Sequence, residues 1–263
     1  NTAIGYSALT NLTTGDQNVT VGAATMTALT TGQYNISMGV SSLESNVSSN
    51  YNTALGHGAG SQTTGPNNTY VGALAGNAIT TASGSVFLGY DAGGTVTTGN
   101  QNIAIGNDSM NGGTTTGDNN IAIGSSAGDA LTSGYDNIFL GREAGGAANT
   151  GYLNVAIGYR AGDAITGGIG TVALGYEALS TSTDVVYATA LGAGALGDGN
   201  LTSDASYTTA VGVSALKALT SGIGNVAVGG YALDAEDDGD YNTAVGHQAL
   251  TSQTGISGTV ANT

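Results

Sequence analysis

Asn154-Val-Ala-Ile-Gly-Tyr-Arg-Ala-Gly162 is the stretch that decides the fold. In it Val155 and Ile157 alternate with Ala156 and close on Gly158. Alternation at period two, with a β-branched residue leading, marks an extended chain with two unlike faces. Working outward, the core Asn-x-Ala-aliphatic-Gly returns along the whole chain. Its Gly stands at 5, 22, 39, 56, 72, 89, 106, 124, 141, 158, 175, 192, 212, 229 and 246. Eleven of the fourteen spacings are 17 residues and the others are 16, 18 and 20. Repeat architectures absorb such irregularity as changes in loop length. The longest spacing falls at Gly-Asp-Gly-Asn-Leu-Thr-Ser-Asp (197–204), which reads as a loop.

Columns counted from this anchor Gly are strict. Position −3 is always β-branched and −1 always aliphatic or Met. Between them, −2 is Ala in ten repeats, with Thr20, Ser37, Tyr70, Phe87 and Phe139 in the rest. Position −4 is Asn in eleven of fifteen, and +3 is Ala in twelve. The alternation puts the −3 and −1 side chains on one strand face and Ala and Gly on the other, where small residues imply a second backbone layer close by. A strand of ~5 residues cannot stand alone. Stacked at ~4.8 Å per rung, the repeats predict a parallel sheet, and fifteen rungs a rod of roughly 70 Å. The expected fold is all-β: one parallel β-solenoid domain over residues 1–263, about 15 coils of 17 residues, with no helix longer than two turns.

The second half of each unit must return the chain, and Thr-Thr-Gly, Thr-Ser-Gly or Thr-Gly-Gly marks a turn there. Where +4 is Gly, +7 is aliphatic in four of six repeats (Ile79, Val96, Leu131, Ile165), against three of nine where +4 is Leu or Met. This reads as constant core volume per coil. The Asn column is expected to form a ladder of side-chain amides and to take up left-handed backbone at a corner.

Composition narrows the function. The chain holds 3 basic and 18 acidic residues, a net charge of −15, with no Cys and no Trp. Such a surface repels nucleic acid and anionic lipid. Disulfides, thiolate metal sites and cysteine nucleophiles are excluded. No apolar run approaches ~18 residues, so no membrane insertion is expected in this segment.

The units Asn1-Thr-Ala-Ile-Gly-Tyr-x-Ala-Leu9 and 154–162 resemble the YadA-like head repeats of trimeric autotransporter adhesins. They are still more similar to the related 17-residue repeats of bacteriophage tail fibres and bacterial surface fibres. The resemblance covers all fifteen repeats. It implies a left-handed parallel β-roll, usually trimeric, in an extracellular adhesin or fibre. Asn1 already opens a repeat and Ala-Asn262-Thr263 restarts the motif, so the chain is expected to be a slice of a longer fibre.

Candidate sites are few. His57 and His247 follow anchor glycines in a column that also holds Tyr, Ala and Val, which marks a surface or corner position rather than a catalytic one. Asp234, Glu236, Asp238 and Asp240 are the candidate calcium ligands. They place oxygens on alternate residues around Gly239 like the opening of a calcium loop, but Val245 stands where the closing carboxylate belongs. The missing ligand favours the plainer reading, a solvated acidic loop, over a calcium site. No other cofactor is expected. Tyr34, Tyr51, Tyr135, Tyr152, Tyr187, Tyr207 and Tyr241 lie five or six residues before an anchor, placed to stack rung on rung or to meet glycan rings. Arg142, Arg160 and Lys217 read as isolated, and the three Met as core.

The resulting expectation is a non-enzymatic structural or adhesive fibre segment that presents a repetitive surface to a glycan or protein receptor. A thin coil can bury only one strand face, and the remaining apolar stripe calls for further copies of the chain, a parallel homotrimer. The alternatives are an ice-binding solenoid, which needs ordered Thr-x-Thr arrays, and a receptor-processing tailspike enzyme, which needs a fixed carboxylate pair.

Overall fold

The structure, a computed structural model, describes residues 1–199, 201 and 205–254. The terminal Ala-Asn262-Thr263 and part of the 197–204 loop lie outside the described residues. The chain groups into two compact units, Asn1–Ser133 and Gly134–Thr263. The first carries β1 (Thr2–Ile4), β2 (Val19–Val21), β3 (Ile36–Met38), β4 (Thr53–Leu55), β5 (Thr69–Val71), β6 (Val86–Leu88), β7 (Ile103–Ile105) and β8 (Ile121–Ile123). The second carries β9 (Ile138–Leu140), β10 (Val155–Ile157), β11 (Val172–Leu174), β12 (Thr189–Leu191), β13 (Thr209–Val211), β14 (Val226–Val228) and β15 (Thr243–Val245). Within each unit every strand pairs in parallel with its sequence neighbour. The columns align in register, as in Thr2↔Val19 and Val155↔Val172. Each unit is thus a parallel β-solenoid with one coil per repeat, and no α-helix occurs among the described residues.

Which strand face is inside is now decided. Ala54, Ala104, Ala156 and Ala210, all at −2, are fully buried. The −3 and −1 residues point outward, so Ile36 is 41% and Met38 46% exposed while Ser37 between them is sealed. Met38 therefore corrects the expectation that all three Met are core, a role only Met26 and Met110 fill. The interior of a coil is small, and an inward side chain larger than Ala is admitted only where the return segment gives way, as Gly93 does to Phe87. Ala leaves room for the +4 Leu or Met and the +7 aliphatic residue.

The anchor Gly is required twice over. Its φ lies near +140°, as at Gly89 (+139°), and a Cβ on Gly89 would sit 2.5 Å from the Gly106 carbonyl oxygen one coil on. That backbone approach is what the small-residue column signalled. After it the chain turns on non-glycine residues in the left-handed region. Ser41 (φ 56°) and Leu43 (φ 49°) stand at +2 and +4. The Ser41 amide donates back to Ala23 and the Leu43 amide forward to Ala59, each at 3.0 Å. The corner thus bonds to the coils on both sides.

The Asn ladder forms. Asn18, Asn35, Asn52 and Asn68 are fully buried. Each Oδ1 accepts the backbone amide of its successor in the column: Asn35 N from Asn18 at 2.9 Å, Asn52 N from Asn35 at 3.0 Å, Asn68 N from Asn52 at 3.0 Å. Each Nδ2 donates across the coil, as Asn18 does to the Gly32 carbonyl at 2.8 Å. The left-handed conformation expected of Asn belongs instead to the residue before it, Tyr34 (φ 59°) or Tyr51 (φ 60°). The Asn stays extended so that its amide can span the interior.

Candidate functional site

The outer strand face is the most extensive feature the coils present. In the first unit it exposes Ile4, Val19, Ile36, Met38, Val86 and Leu88. In the second it exposes Ile138, Leu140, Val172, Leu174, Leu191 and Val228. Period two on a three-residue strand makes this unavoidable once Ala faces in.

Tyrosines flank that face. Tyr34 stacks on Tyr51 with centroids 5.0 Å apart and Tyr135 on Tyr152 at 4.7 Å, both pairs 5° from coplanar. Tyr187 and Tyr207 are tilted at 5.6 Å. These pairs realise the rung-on-rung option and still leave Tyr51, Tyr187 and Tyr207 exposed. After the anchor, Tyr159 meets Tyr176 at 5.5 Å, and the Arg142 guanidinium lies 4.4 Å over the Tyr159 ring.

The basic residues, expected to stand alone, are each engaged with acids. Arg160 contacts Asp163 at 2.9 Å, Glu143 at 3.5 Å and Glu177 at 3.9 Å, and its hydrogen bond to Asp163 raises its pKa. Lys217 holds Asp198 at 2.9 Å beside a shallow groove that also includes Tyr176 and Glu177. Such surface pairs are worth at most about 1 kcal/mol each. His57 and His247 are exposed, and His247 stands edge-on to Tyr231 at 6.0 Å.

The four predicted calcium ligands divide. Glu236 is fully buried and its Oε1 accepts the Gly239 amide at 2.7 Å. Asp240 Oδ1 accepts the Ile223 amide of the preceding coil at 2.8 Å, a structural bond. Asp237, which the alternate-residue pattern passed over, joins Glu236 and Asp238, with one oxygen of each within 4.8 Å of the others. Asp234 is outside that group.

Sequence reading also missed the buried polar pairs. Thr20 bonds Thr25 and Ser37 bonds Ser42, each joining −2 to +3 across one coil. The signal was present: two exceptions in the −2 column fall in the same repeats as two exceptions in the +3 column. Thr63 donates to the buried Tyr70 hydroxyl at 3.1 Å, and burial pushes that phenol's pKa far up.

Comparison with family models, curated proteins and solved structures yields no match for this chain.

Proposed function

We propose that this chain is a non-enzymatic segment of an extracellular bacterial or phage fibre, assembled as a parallel homotrimer and presenting a repetitive surface for attachment. The observation that carries the reading is the outward aliphatic face of the strands. A soluble monomer rarely leaves an apolar patch beyond a few hundred Å² in water, and only 8% of these residues are charged. A second and third copy of the same face supply a cover of matching chemistry and spacing, consistent with the resemblance to trimeric adhesin heads. The net charge of −15 opposes association, but exposed charges are screened beyond ~8 Å at physiological salt. Exposed Tyr at the rim suits a glycan or protein receptor. The −3 column mixes outward Thr with Val and Ile, so no uniform Thr array supports ice binding.

Light scattering at micromolar concentration tests the assembly. The expected mass is three times the 25.4 kDa of the chain. Leu140→Lys with Leu174→Lys, both on the outward face, is expected to lower it to one chain without altering the circular dichroism spectrum. A monodisperse monomer of the parent chain defeats the reading.

A further inference from the structure

The +7 column is core: Leu29, Ile79, Val96, Leu131 and Leu219 are fully buried there. Of the polar residues in it, Asn46 and Thr63 satisfy themselves locally, while the Ser182 hydroxyl is buried without a partner. Asn46 Oδ1 accepts the Ser49 amide at 2.9 Å and its Nδ2 donates to the Ser49 carbonyl at 3.3 Å, while Thr63 bonds Tyr70. Glu236 stands in this same column, one coil after Leu219, and is sealed from solvent. Its Oε1 repeats the Asn46 bond by capping Gly239, but its Oε2 is buried with no partner. Two flanking carboxylates share the deficit, with Asp234 Oδ1 and Asp238 Oδ1 also buried and unpartnered. Elsewhere such atoms, Asn77 Oδ1 and Ser182 Oγ, are neutral and single.

A buried carboxylate oxygen without a donor or counter-ion is strongly unfavourable, and the penalty grows when several sit together. Among the described residues no ion pair joins a side-chain cation to Glu236 or Asp238, and Asp234 feels only the more distant charge of Lys217. Lys217 is paired with Asp198, and Arg142 and Arg160 with Glu143, Asp163 and Glu177. We infer that Glu236, Asp237 and Asp238 bind a hard divalent cation, calcium best. One oxygen of each lies within 4.8 Å of the others, and two oxygens that each bind calcium at its usual ~2.4 Å are at most about 4.8 Å apart. Calcium accepts irregular sets of oxygen ligands, whereas magnesium requires a near-ideal octahedron. Exposed Asp237 gives the ion a route from solvent and leaves positions for water. The site differs from the calcium-loop pattern of the sequence: adjacent Asp237 enters, and Asp240 stays with Ile223. It does not depend on the fibre reading, because it concerns one loop of one chain.

The test uses the full chain stripped with EDTA and titrated with calcium chloride by calorimetry, with terbium luminescence as a second readout. One site per chain is expected, with a dissociation constant of about 0.1–1 mM and weaker binding of magnesium. Saturating calcium is expected to raise the melting temperature. Glu236→Leu places in the column what Leu219 supplies one coil earlier. It is expected to fold, to bind calcium at least tenfold more weakly, and to lose the calcium-dependent rise in melting temperature. Asp237→Asn and Asp238→Asn, which leave the Gly239 cap intact, are expected to weaken binding likewise and decide the matter if Glu236→Leu does not fold. No heat and no terbium emission from folded parent at millimolar calcium overturns the inference, as does parent-like binding by the Asp variants.

Discussion

Residues 69–93 and residues 209–233 enclose the same kind of core by opposite means. In the first stretch Tyr70 and Phe87 fill the −2 column and Gly76 and Gly93 the +4 column. In the second Ala210 and Ala227 stand at −2 while Leu216 and Leu233 reach in from +4, all fully buried. A Cβ on Gly93 would lie 2.5 Å from the Phe87 ring, so a side chain there and the ring exclude one another. Volume is conserved across the coil, between strand and corner, and not within a column. Each solution has its own penalty. Leu216 sits at φ 50°, a left-handed strain of about 1 kcal/mol. Glycine at the same corner gives a looser unfolded chain, worth about 0.5–1 kcal/mol.

The largest effect is expected where the two stretches are alike. Gly89→Val and Gly229→Val each set a side chain at φ near +139° against the next coil's backbone. Both are expected to lose about 4 kcal/mol or more by chemical denaturation, while His57→Ala stays within about 0.5 kcal/mol. Equal losses at Gly89 and His57 would show that the anchor column is permissive.

The comparison itself is broken by exchanging its terms. Phe87→Ala alone is expected to lose about 3–5 kcal/mol and Gly93→Leu alone about 1–3 kcal/mol. Together they rebuild the Ala and Leu arrangement of the second stretch. The double variant is expected to be more stable than the two single losses predict, by about 2 kcal/mol in a double-mutant cycle. Additive losses would mean that the two positions do not share one volume.

A smaller test sharpens the boundary between what differs and what is shared. Asn68 Oδ1 accepts Ser85 N at 2.9 Å, and Asn225 Oδ1 accepts Asn242 N at 2.8 Å. Asn68→Ala and Asn225→Ala each strand a buried amide, so each is expected to lose about 1–3 kcal/mol, and by similar amounts in spite of the different cores. Serine in place of alanine is expected to recover part of this, since Ser85 Oγ accepts Asn102 N at 3.2 Å in the same column.

The smallest effect lies outside both stretches. Burial pushes the Asp129 carboxyl above the usual range, so the folded chain holds that proton more tightly than the unfolded chain. Its contribution to stability is present at low pH and is lost as pH rises past the folded value. Asp129→Asn is therefore expected to melt slightly higher than the parent at pH 7, with the gap closing toward pH 3. A gap that widens on acidification would reverse the sign.

Much of this was readable in the columns. The 17-residue coil, the parallel register and the need for glycine at 89 or 158 follow from residue types at fixed spacing. The direction of the strand faces did not, because period two separates Val155 from Ala156 without saying which is interior. That choice is made by the return segment, where Leu43 and Met26 adopt a conformation their side chains disfavour and no local signal announces. The compensation at +7 is one of two: Gly162, in a coil with Ala156, gives its space to Ile165 at +7, whereas Gly93 gives its space to Phe87 at −2. The exclusion between −2 and +4 is masked in the columns because Gly60, Gly128 and Gly162 all stand in coils with Ala at −2, Gly60 giving its space to Tyr70 of the next coil. At the acidic loop the alternation of Asp234, Glu236 and Asp238 was visible. The burial of Glu236 is visible only through its place in the +7 column, and Asp237 falls outside a calcium-loop pattern that takes its ligands from alternate residues.

The Asn ladder has a consequence in time. From Asn35 to Asn68 each backbone amide is tied to a buried side-chain oxygen of the coil before. Releasing one such hydrogen to solvent requires two coils to part together, whereas an amide at the exposed corner needs only a local fluctuation. Deuterium uptake along the chain should therefore rise and fall with a beat of seventeen residues, slow at each Asn and quick between them.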